Sequence, residues 1–229
     1  MSELLGLLLL ALVLWWLGGR ANRADWGSPW LNRLDGLNRL FCRYYHGLKC
    51  EPLPLPARGG ALVVANHISG LDPLLMASLC ERPLRFLIAE EEYRRFGLRW
   101  FFRATGCIPV DRQQRPATAL RRARKALQAG EVVALFPHGR IHAERRPARI
   151  KGGVVRLAQG AAVPIYPLWL DGVTGRGLVL AAVFLPSRVR VRTYPPLYCA
   201  ADDYAACMQR LHALLNGSSP AGGKEGQDG

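Results

Sequence analysis

Short apolar runs alternate with helix-compatible segments along most of this chain, and this alternation constrains the fold more than any other feature. The apolar runs have the length and composition of β-strands. They lie at 61–65, 84–89, 107–110, 132–136, 163–170, 178–184 and 189–193. The helix-compatible segments lie at 73–80, 91–104, 116–129, 153–161 and 201–215. We therefore predict an α/β fold with a mixed, largely parallel sheet flanked by helices and with functional residues at strand ends.

The N-terminal segment is predicted to hold the chain at a membrane. Residues 4–19 carry no charge and would form a helix about 24 Å long, short of the roughly 30 Å hydrocarbon core. A short span, a half-buried anchor and a signal peptide all remain open, although Met1–Glu3 lacks the basic residues of a signal peptide. Trp15 and Trp16 fit an interfacial aromatic belt. The arginines that follow predict that the body lies on the cytoplasmic face of the inner membrane.

Four regions follow from these patterns. Residues 1–50 form the anchor and a second helix near 30–41, whose apolar stripe fits either the membrane interface or packing on the body. A Pro/Gly-rich linker at 51–60 leads to a catalytic body at 61–216. The end, 217–229, is rich in Gly, Ser and charge, and is predicted to be disordered.

The strong positive charge limits the classes of partner. The chain has 31 lysine and arginine residues against 17 aspartate and glutamate residues, which gives a net charge of +14. Such a surface attracts nucleic acid, anionic lipid, an acidic carrier protein or a phosphorylated substrate. No recognition-helix or aromatic-platform pattern supports nucleic-acid binding, and the apolar N-terminus argues against it. The six cysteines have no CxxC spacing and are predicted to be reduced, buried thiols.

The turn after the run 61–65 carries the first candidate chemistry. Its sequence is Asn-His-Ile-Ser-Gly-Leu-Asp, with His67 and Asp72 five residues apart and Pro73 next. Asp72 and Pro73 have the residue types of an N-cap and the first helical position, and His67 would lie just before them. A histidine base with an orienting carboxylate fits this spacing. A loop histidine beside a helix cap fits it equally well.

Three later turns carry further candidates. Gly-Cys-Ile-Pro-Val-Asp-Arg ends at Arg112, which would bind a phosphate or form a surface salt bridge. Phe-Pro-His-Gly-Arg-Ile-His begins at Phe136, and its Arg140 would clamp an anion or belong to a solvated basic loop. Lys151 opens the helix at 153–161, where N–H groups and a lysine can receive an anion. The run 163–170 contains two prolines, which predict an edge or bulged strand forming a wall of the site.

The four blocks NHISGLD, GCIPVDR, FPHGRIH and VPIYPL, in this order, resemble those of the glycerolipid acyltransferases, in particular the bacterial 1-acyl-glycerol-3-phosphate acyltransferase family. The resemblance covers residues 61–195. It implies that His67 is the general base, that Asp72 orients it, and that Arg112 holds the phosphate or head group of the acceptor lipid. It also implies transfer of an acyl group from acyl-CoA or acyl-carrier protein, as co-substrate, to a lysophospholipid. No cofactor and no metal are expected.

The third block departs from the family pattern Phe-Pro-Glu-Gly-Thr-Arg. His138 stands in place of the glutamate, Arg140 in place of the threonine and Ile141 in place of the arginine. The acceptor is therefore expected to be 1-acyl-glycerol-3-phosphate or, alternatively, another lysophospholipid or a lyso-aminolipid. A catalytically inactive, membrane-bound lipid-binding protein is a further alternative. The candidate substrate-binding residues are Asn66, Arg112, His138, Gly139, Arg140 and Lys151.

Overall fold

Six strands form one mixed sheet in the order β3-β2-β4-β1-β5-β6 in the computed structural model, which describes residues 2–111, 116–142, 149–200 and 202–217. The first five strands are parallel, and β6 runs antiparallel to β5. The predicted mixed, largely parallel sheet flanked by helices is confirmed. The strands are β1 Ala61–Ala65, β2 Leu84–Ala89, β3 Ile108–Val110, β4 Val132–Leu135, β5 Ile165–Asp171 and β6 Arg190–Thr193.

Nine α-helices lie within the described ranges and surround this sheet. They are α1 Ser2–Ala21, α2 Pro29–Leu40, α3 Asp72–Leu79, α4 Glu90–Tyr93, α5 Arg99–Ala104, α6 Pro116–Gln128, α7 Gly153–Ala161, α8 Ala181–Phe184 and α9 Tyr204–Leu215. One π-helical turn, Phe41–Tyr45, continues α2. The predicted helix at 91–104 is two short helices, since Gly97, with φ +79°, lies between them in a left-handed conformation.

The central strand β1 explains where the core lies. All five of its residues are fully buried, and its alternating side chains reach both faces of the sheet. Ala61, Val63 and Ala65 belong to a cluster with residues of α3 and of the π-helical turn. Leu62 and Val64 belong to a second cluster with residues of α6, α7 and α9. The sheet is therefore covered on both sides, as a parallel sheet requires.

The prediction for the run 163–170 was wrong about its place in the sheet. β5 lies between β1 and β6 rather than at an edge. Its Pro167 is tolerated because this residue faces β6 just before the ladder with β6 begins, at the pairing of Leu168 with Thr193. The pairing of β5 with β1 therefore continues across Pro167 without losing a ladder hydrogen bond.

The run 178–184 was also predicted as a strand, and it is instead a turn followed by α8. Its backbone pairs with the turn after β1 and not with a strand: the Gly70 N–H donates to the Leu178 carbonyl at 2.9 Å. The Gly177 N–H donates to the Ile68 carbonyl at 2.8 Å. Backbone hydrogen bonds therefore hold this run against the turn, while several of its apolar side chains are exposed.

The N-terminal helices form a hairpin. α1 has the length and composition of a membrane span, about 30 Å long at 1.5 Å per residue, and almost all its side chains are exposed. It crosses α2 where Gly18 meets Gly36, so closely that a Cβ atom on Gly36 would collide with the Gly18 carbonyl oxygen. α2 packs against α1 on one side and against α3 on the other. The predicted apolar stripe of α2 therefore packs against the body as well as against α1.

The prediction that all six cysteines are reduced was wrong for one pair. Cys199 and Cys207 are joined as a disulfide, with Cα atoms 5.8 Å apart. Cys42 and Cys80 are free and buried, and burial raises the pKa of each thiol to about 12. The start of α9 carries Cys207, so this pairing depends on where α9 docks, which local sequence does not indicate.

Candidate active site

His67 and Asp72 lie side by side in the turn between β1 and α3. The Nδ1 atom of His67 is 2.9 Å from Oδ2 of Asp72. The Asp72 side chain is fully buried, whereas 17% of the His67 side chain is exposed. The turn therefore leaves part of the imidazole accessible to solvent, while a buried carboxylate holds its Nδ1 atom. The sequence-predicted pair is brought together.

The Asp72 carboxylate also organises the turn itself. Its Oδ2 accepts from the N–H groups of Ile68 and Ser69, at 2.6 and 2.9 Å, and its Oδ1 accepts from the Ser69 hydroxyl at 2.7 Å. Four donors therefore converge on one buried carboxylate, counting the ring nitrogen of His67. Such bonds to a charged acceptor are stronger than neutral ones. Asp72 therefore both contacts the His67 ring and stabilises the turn in which His67 lies.

The prediction that Asp72 caps its helix was wrong. Leu71 occupies the N-cap position of α3, and no side chain caps this helix. The carboxylate of Asp72, the first helical residue, points back into the preceding turn and uses its oxygens there. Pro73 is the second helical residue, one position later than predicted, where its missing N–H is still tolerated.

Ser69 and Cys107 are the nearest nucleophile types in the first two blocks, and neither is placed as a nucleophile. The Ser69 hydroxyl donates to Asp72 and accepts from the Leu71 N–H at 3.2 Å, and the residue is fully buried. Burial raises the pKa of the Cys107 thiol above its ordinary value. The site thus offers an imidazole without an adjacent activated nucleophile among these residues.

Phe136, at the end of β4, forms one wall of the His67 environment. Its ring is stacked on the imidazole with a centroid distance of 4.0 Å and an interplanar angle of 12°. The third block makes a second contact with His67 through the main chain, since the His142 N–H donates to the His67 carbonyl at 2.8 Å. Sequence reasoning missed both contacts. The only signal was the parallel course of β1 and β4, whose carboxyl ends meet at one edge.

Gly139 and Lys151 form the basic side of the site. Gly139 has φ +75°, and a Cβ atom there would lie 2.8 Å from the Nζ of Lys151. The Lys151 N–H donates to the Pro137 carbonyl at 2.9 Å, which ties the third block to the start of α7. Lys151 and Arg140 are both exposed. The loop thus presents two cations beside the turn that carries His67.

Three other residues were predicted to contact substrate; two of them are buried, and the third lies outside the described residues. The Asn66 amide is buried and engaged by the Leu170 main chain in both directions, at 2.8 and 2.7 Å, and its contact with substrate stays a prediction. The His138 ring is buried, with its centroid 5.1 Å from that of His142. Arg112 lies outside the described residues.

Comparison with known proteins places these features in a family. The family model described as Acyltransferase matches residues 49–171. A probable 1-acyl-sn-glycerol-3-phosphate acyltransferase of Mycoplasma pneumoniae is 31% identical over 142 residues, which are 58% of this chain and 53% of that relative. The 1-acyl-sn-glycerol-3-phosphate acyltransferase of Bacillus subtilis is 24% identical over 70% of this chain and 78% of its own length.

A solved structure agrees in fold. The crystal structure of the 1-acyl-sn-glycerophosphate (LPA) acyltransferase PlsC from Thermotoga maritima superposes with a TM-score of 0.63 and 20% identity, over 85% of this chain and 81% of that one. The matched stretch spans about half the length of the Mycoplasma relative. The family match covers more than half of the present chain and includes β1, the His67–Asp72 turn, β4 and β5. The chain therefore belongs to the acyltransferase family.

Proposed function

We propose that this protein transfers a fatty acyl group from a thioester, acyl-CoA or acyl-carrier protein, to the free hydroxyl of a lysophospholipid. The acceptor that its relatives' names indicate is 1-acyl-glycerol-3-phosphate, and the product would be phosphatidic acid. The observation that carries the proposal is the His67–Asp72 pair, whose imidazole is partly exposed and whose turn is hydrogen-bonded to the third block, which carries Arg140 and contacts Lys151. The reaction would take place at the cytoplasmic face of the membrane, with α1 as anchor.

The pair supports general-base catalysis. Because Nδ1 of His67 faces Asp72, the opposite nitrogen, Nε2, is the atom left to take the hydroxyl proton of the acceptor. The hydroxyl oxygen then attacks the thioester carbonyl, and His67 returns the proton to the departing thiol. Asp72 fixes the tautomer and stabilises the imidazolium. Such a base contributes on the order of 10²–10⁴ in rate, and no acyl-enzyme is required.

The cations of the third block support an anionic acceptor. Lys151 is a compact charge with three donors, and Arg140 can bind a phosphate in a bidentate manner. Both lie in loops that contact the His67 turn or each other's segments. A phosphate held there would bring a glycerol hydroxyl towards the imidazole. We therefore assign the head group to this side of the site.

The altered third block favours a second candidate acceptor. His138, Arg140 and Ile141 change the charge and hydrogen-bonding types at three positions, and His138 is turned inward against His142. A lysophospholipid with a larger head group, or a lyso-aminolipid, would suit a loop that has lost the family glutamate. The chemistry at His67 would be the same for either acceptor.

The test is an acyl-transfer assay on the full chain in phospholipid vesicles. The panel contains lysophosphatidic acid, other lysophospholipids and a lyso-aminolipid, each with acyl-CoA and with acyl-carrier protein. His67→Ala and Asp72→Ala should each lower turnover by about 10² or more, and His212→Ala, a histidine of α9, should leave it unchanged. Full turnover in folded His67→Ala protein would contradict the proposal. A preference for a lipid other than lysophosphatidic acid would select the second acceptor.

A further inference from the structure

The loop between β5 and β6, residues 172–189, exposes a group of apolar side chains that the fold does not use. Phe184 is 73% exposed and Leu180 is 58% exposed, and three more apolar residues of the loop are also exposed. These are Leu178, Val179 and Leu185. Five exposed apolar residues within eight positions exceed what scattered surface residues provide, and such patches mark contact sites.

This loop is fixed to the turn that carries His67. The two backbone hydrogen bonds described above join Gly70 to Leu178 and Gly177 to Ile68. The approach at Gly70 is so close that a Cβ atom there would collide with the Val179 carbonyl oxygen. A surface that contacted the apolar residues would therefore be held at a set distance from His67.

The loop is also continuous with the end of the N-terminal hairpin. The Tyr45 hydroxyl donates to the Phe184 carbonyl at 2.7 Å, and Nε2 of His46 lies 3.2 Å from the Val183 carbonyl oxygen. Ala182 is fully buried in the same core cluster as Cys42. The exposed side chains of α8 and the exposed ring of Tyr45 thus share one face of the molecule with the segment that leads to the anchor.

Beside the apolar residues lies a basic cleft of about 550 Å³. Its polar lining comes from Asp171, Thr174, Arg176, Ser187, Arg188 and Arg190. Arg176 is paired with Asp171 at 2.9 Å. Arg188 and Arg190 are exposed, and within the described ranges no carboxylate forms an ion pair with either of them. The loop and the first residue of β6 therefore place apolar side chains next to two cations that form no ion pair in the part of the chain that the structure describes, the composition of an interfacial membrane contact.

We propose that the loop at 172–189, together with Arg190 at the start of β6, is a second membrane contact of this protein. Leu180 and Phe184 enter the head-group region, and Arg188 and Arg190 pair with phosphates of anionic lipids. Together with α1, this contact would hold the His67 turn at the bilayer surface, where lipid substrates lie. The proposal concerns the orientation of the protein on the bilayer and does not require His67 to act as a base.

Photocrosslinking of the full chain in vesicles tests the position of the loop. The photoreactive p-benzoylphenylalanine is placed at position 184 or, as control, at position 198, where Tyr198 is 75% exposed. Tyr198 follows Leu197, which pairs with Ile165 at the start of β5. Phe184 lies in the loop that follows the other end of β5, and the two ends of this strand are about 20 Å apart. We expect at least about five times more lipid adduct at 184, also in the His67→Ala background, which separates this result from catalysis.

Substitution of the two arginines tests the charged half of the contact. Arg188→Gln together with Arg190→Gln should lower the adduct yield at 184 about three-fold or more in vesicles that contain phosphatidylglycerol. The matched control is Arg210→Gln, an exposed arginine of α9, which packs on the opposite face of the sheet. Equal adduct yields at 184 and 198 would overturn the proposal. An unchanged yield at 184 with a raised KM for acyl-CoA in the double variant would also overturn it, because the cleft would then hold the soluble donor.

Discussion

The phenyl ring of Phe136 lies almost flat against the imidazole of His67, with centroids 4.0 Å apart. Asp72 fixes one edge of the imidazole, and Phe136 fixes its plane. Aromatic pairs of this kind contribute about 0.5–1.5 kcal/mol beyond their burial. The stacking is therefore strong enough to decide the orientation of a side chain that Asp72 alone would leave free to tilt.

Replacement of this ring should change catalysis more than stability. We expect Phe136→Leu to lower kcat about three- to ten-fold, because the imidazole loses its stacking partner, and Phe136→Tyr to keep kcat close to the wild-type value. Steady-state acyl transfer and thermal unfolding of the same preparations provide the measurements. Equal kcat values for the Leu and Tyr variants would mean that the stacking has no positioning role.

Ser69 separates a general-base mechanism from a covalent one. Ser69→Ala removes the hydroxyl that donates to Asp72 and accepts from Leu71, so the free energy of unfolding should fall by about 1–3 kcal/mol. Because Asp72 still receives three donors, at least about a tenth of the acyl-transfer rate should remain. The activity and the unfolding free energy are measured together. Complete loss of activity in a folded Ser69→Ala protein would point to an acyl-enzyme instead.

Local sequence predicted the strands and helices whose own residue pattern determines their structure. β1 was predicted with its observed bounds because five consecutive small or branched apolar residues suit a strand buried on both faces. α7 was likewise predicted at 153–161, since Gly152 and Gly153 mark its start. The approach of His67 to Asp72 followed from the short turn between β1 and α3.

Contacts between residues far apart in the chain determine the features that the local sequence did not predict. Residues 178–184 have the apolar content of a strand, but Leu178 and the preceding Gly177 pair with Gly70 and Ile68, more than a hundred residues earlier. Asn66 has the place of a site residue in its motif, and only the docking of β5 shows that Leu170 engages its amide. The role of Arg112 stays a prediction, because this residue lies outside the described ranges.

Gly139 keeps room for the Lys151 ammonium. Gly139→Ala should place a methyl group against Nζ and displace it, in addition to straining a backbone with φ +75°. We expect the KM for the lysophospholipid acceptor to rise about five- to twenty-fold, the effect of a weakened charge-assisted bond to a phosphate. Steady-state acyl transfer at varied acceptor concentration measures this change.

The control for this prediction is Gly27→Ala. Gly27 has nearly the same conformation, φ +73°, and no atom lies within 4 Å of the position that an added methyl group would occupy. Both variants should lose a similar 1–2 kcal/mol of stability, to within about 1 kcal/mol, and only Gly139→Ala should change the KM. A raised KM in both variants would assign the effect to general backbone strain.

The crossing of α1 and α2 depends on the absence of side chains at Gly18 and Gly36. Gly36→Ala would drive a methyl group into the Gly18 carbonyl and force the two helices apart, which typically costs about 1–3 kcal/mol in a packed interface. We therefore expect thermal unfolding in detergent to show a lower midpoint for Gly36→Ala than for the wild-type protein.

Gly6→Ala is the matched control for the helix crossing, because Gly6 also lies in a helix and has no atom within 4 Å of the added methyl position. Both changes raise helix propensity by a similar amount, so the difference between their midpoints reports the crossing alone. We expect an unchanged or higher midpoint for Gly6→Ala. Equal midpoints for the two variants would show that the hairpin is not part of the cooperatively folded unit.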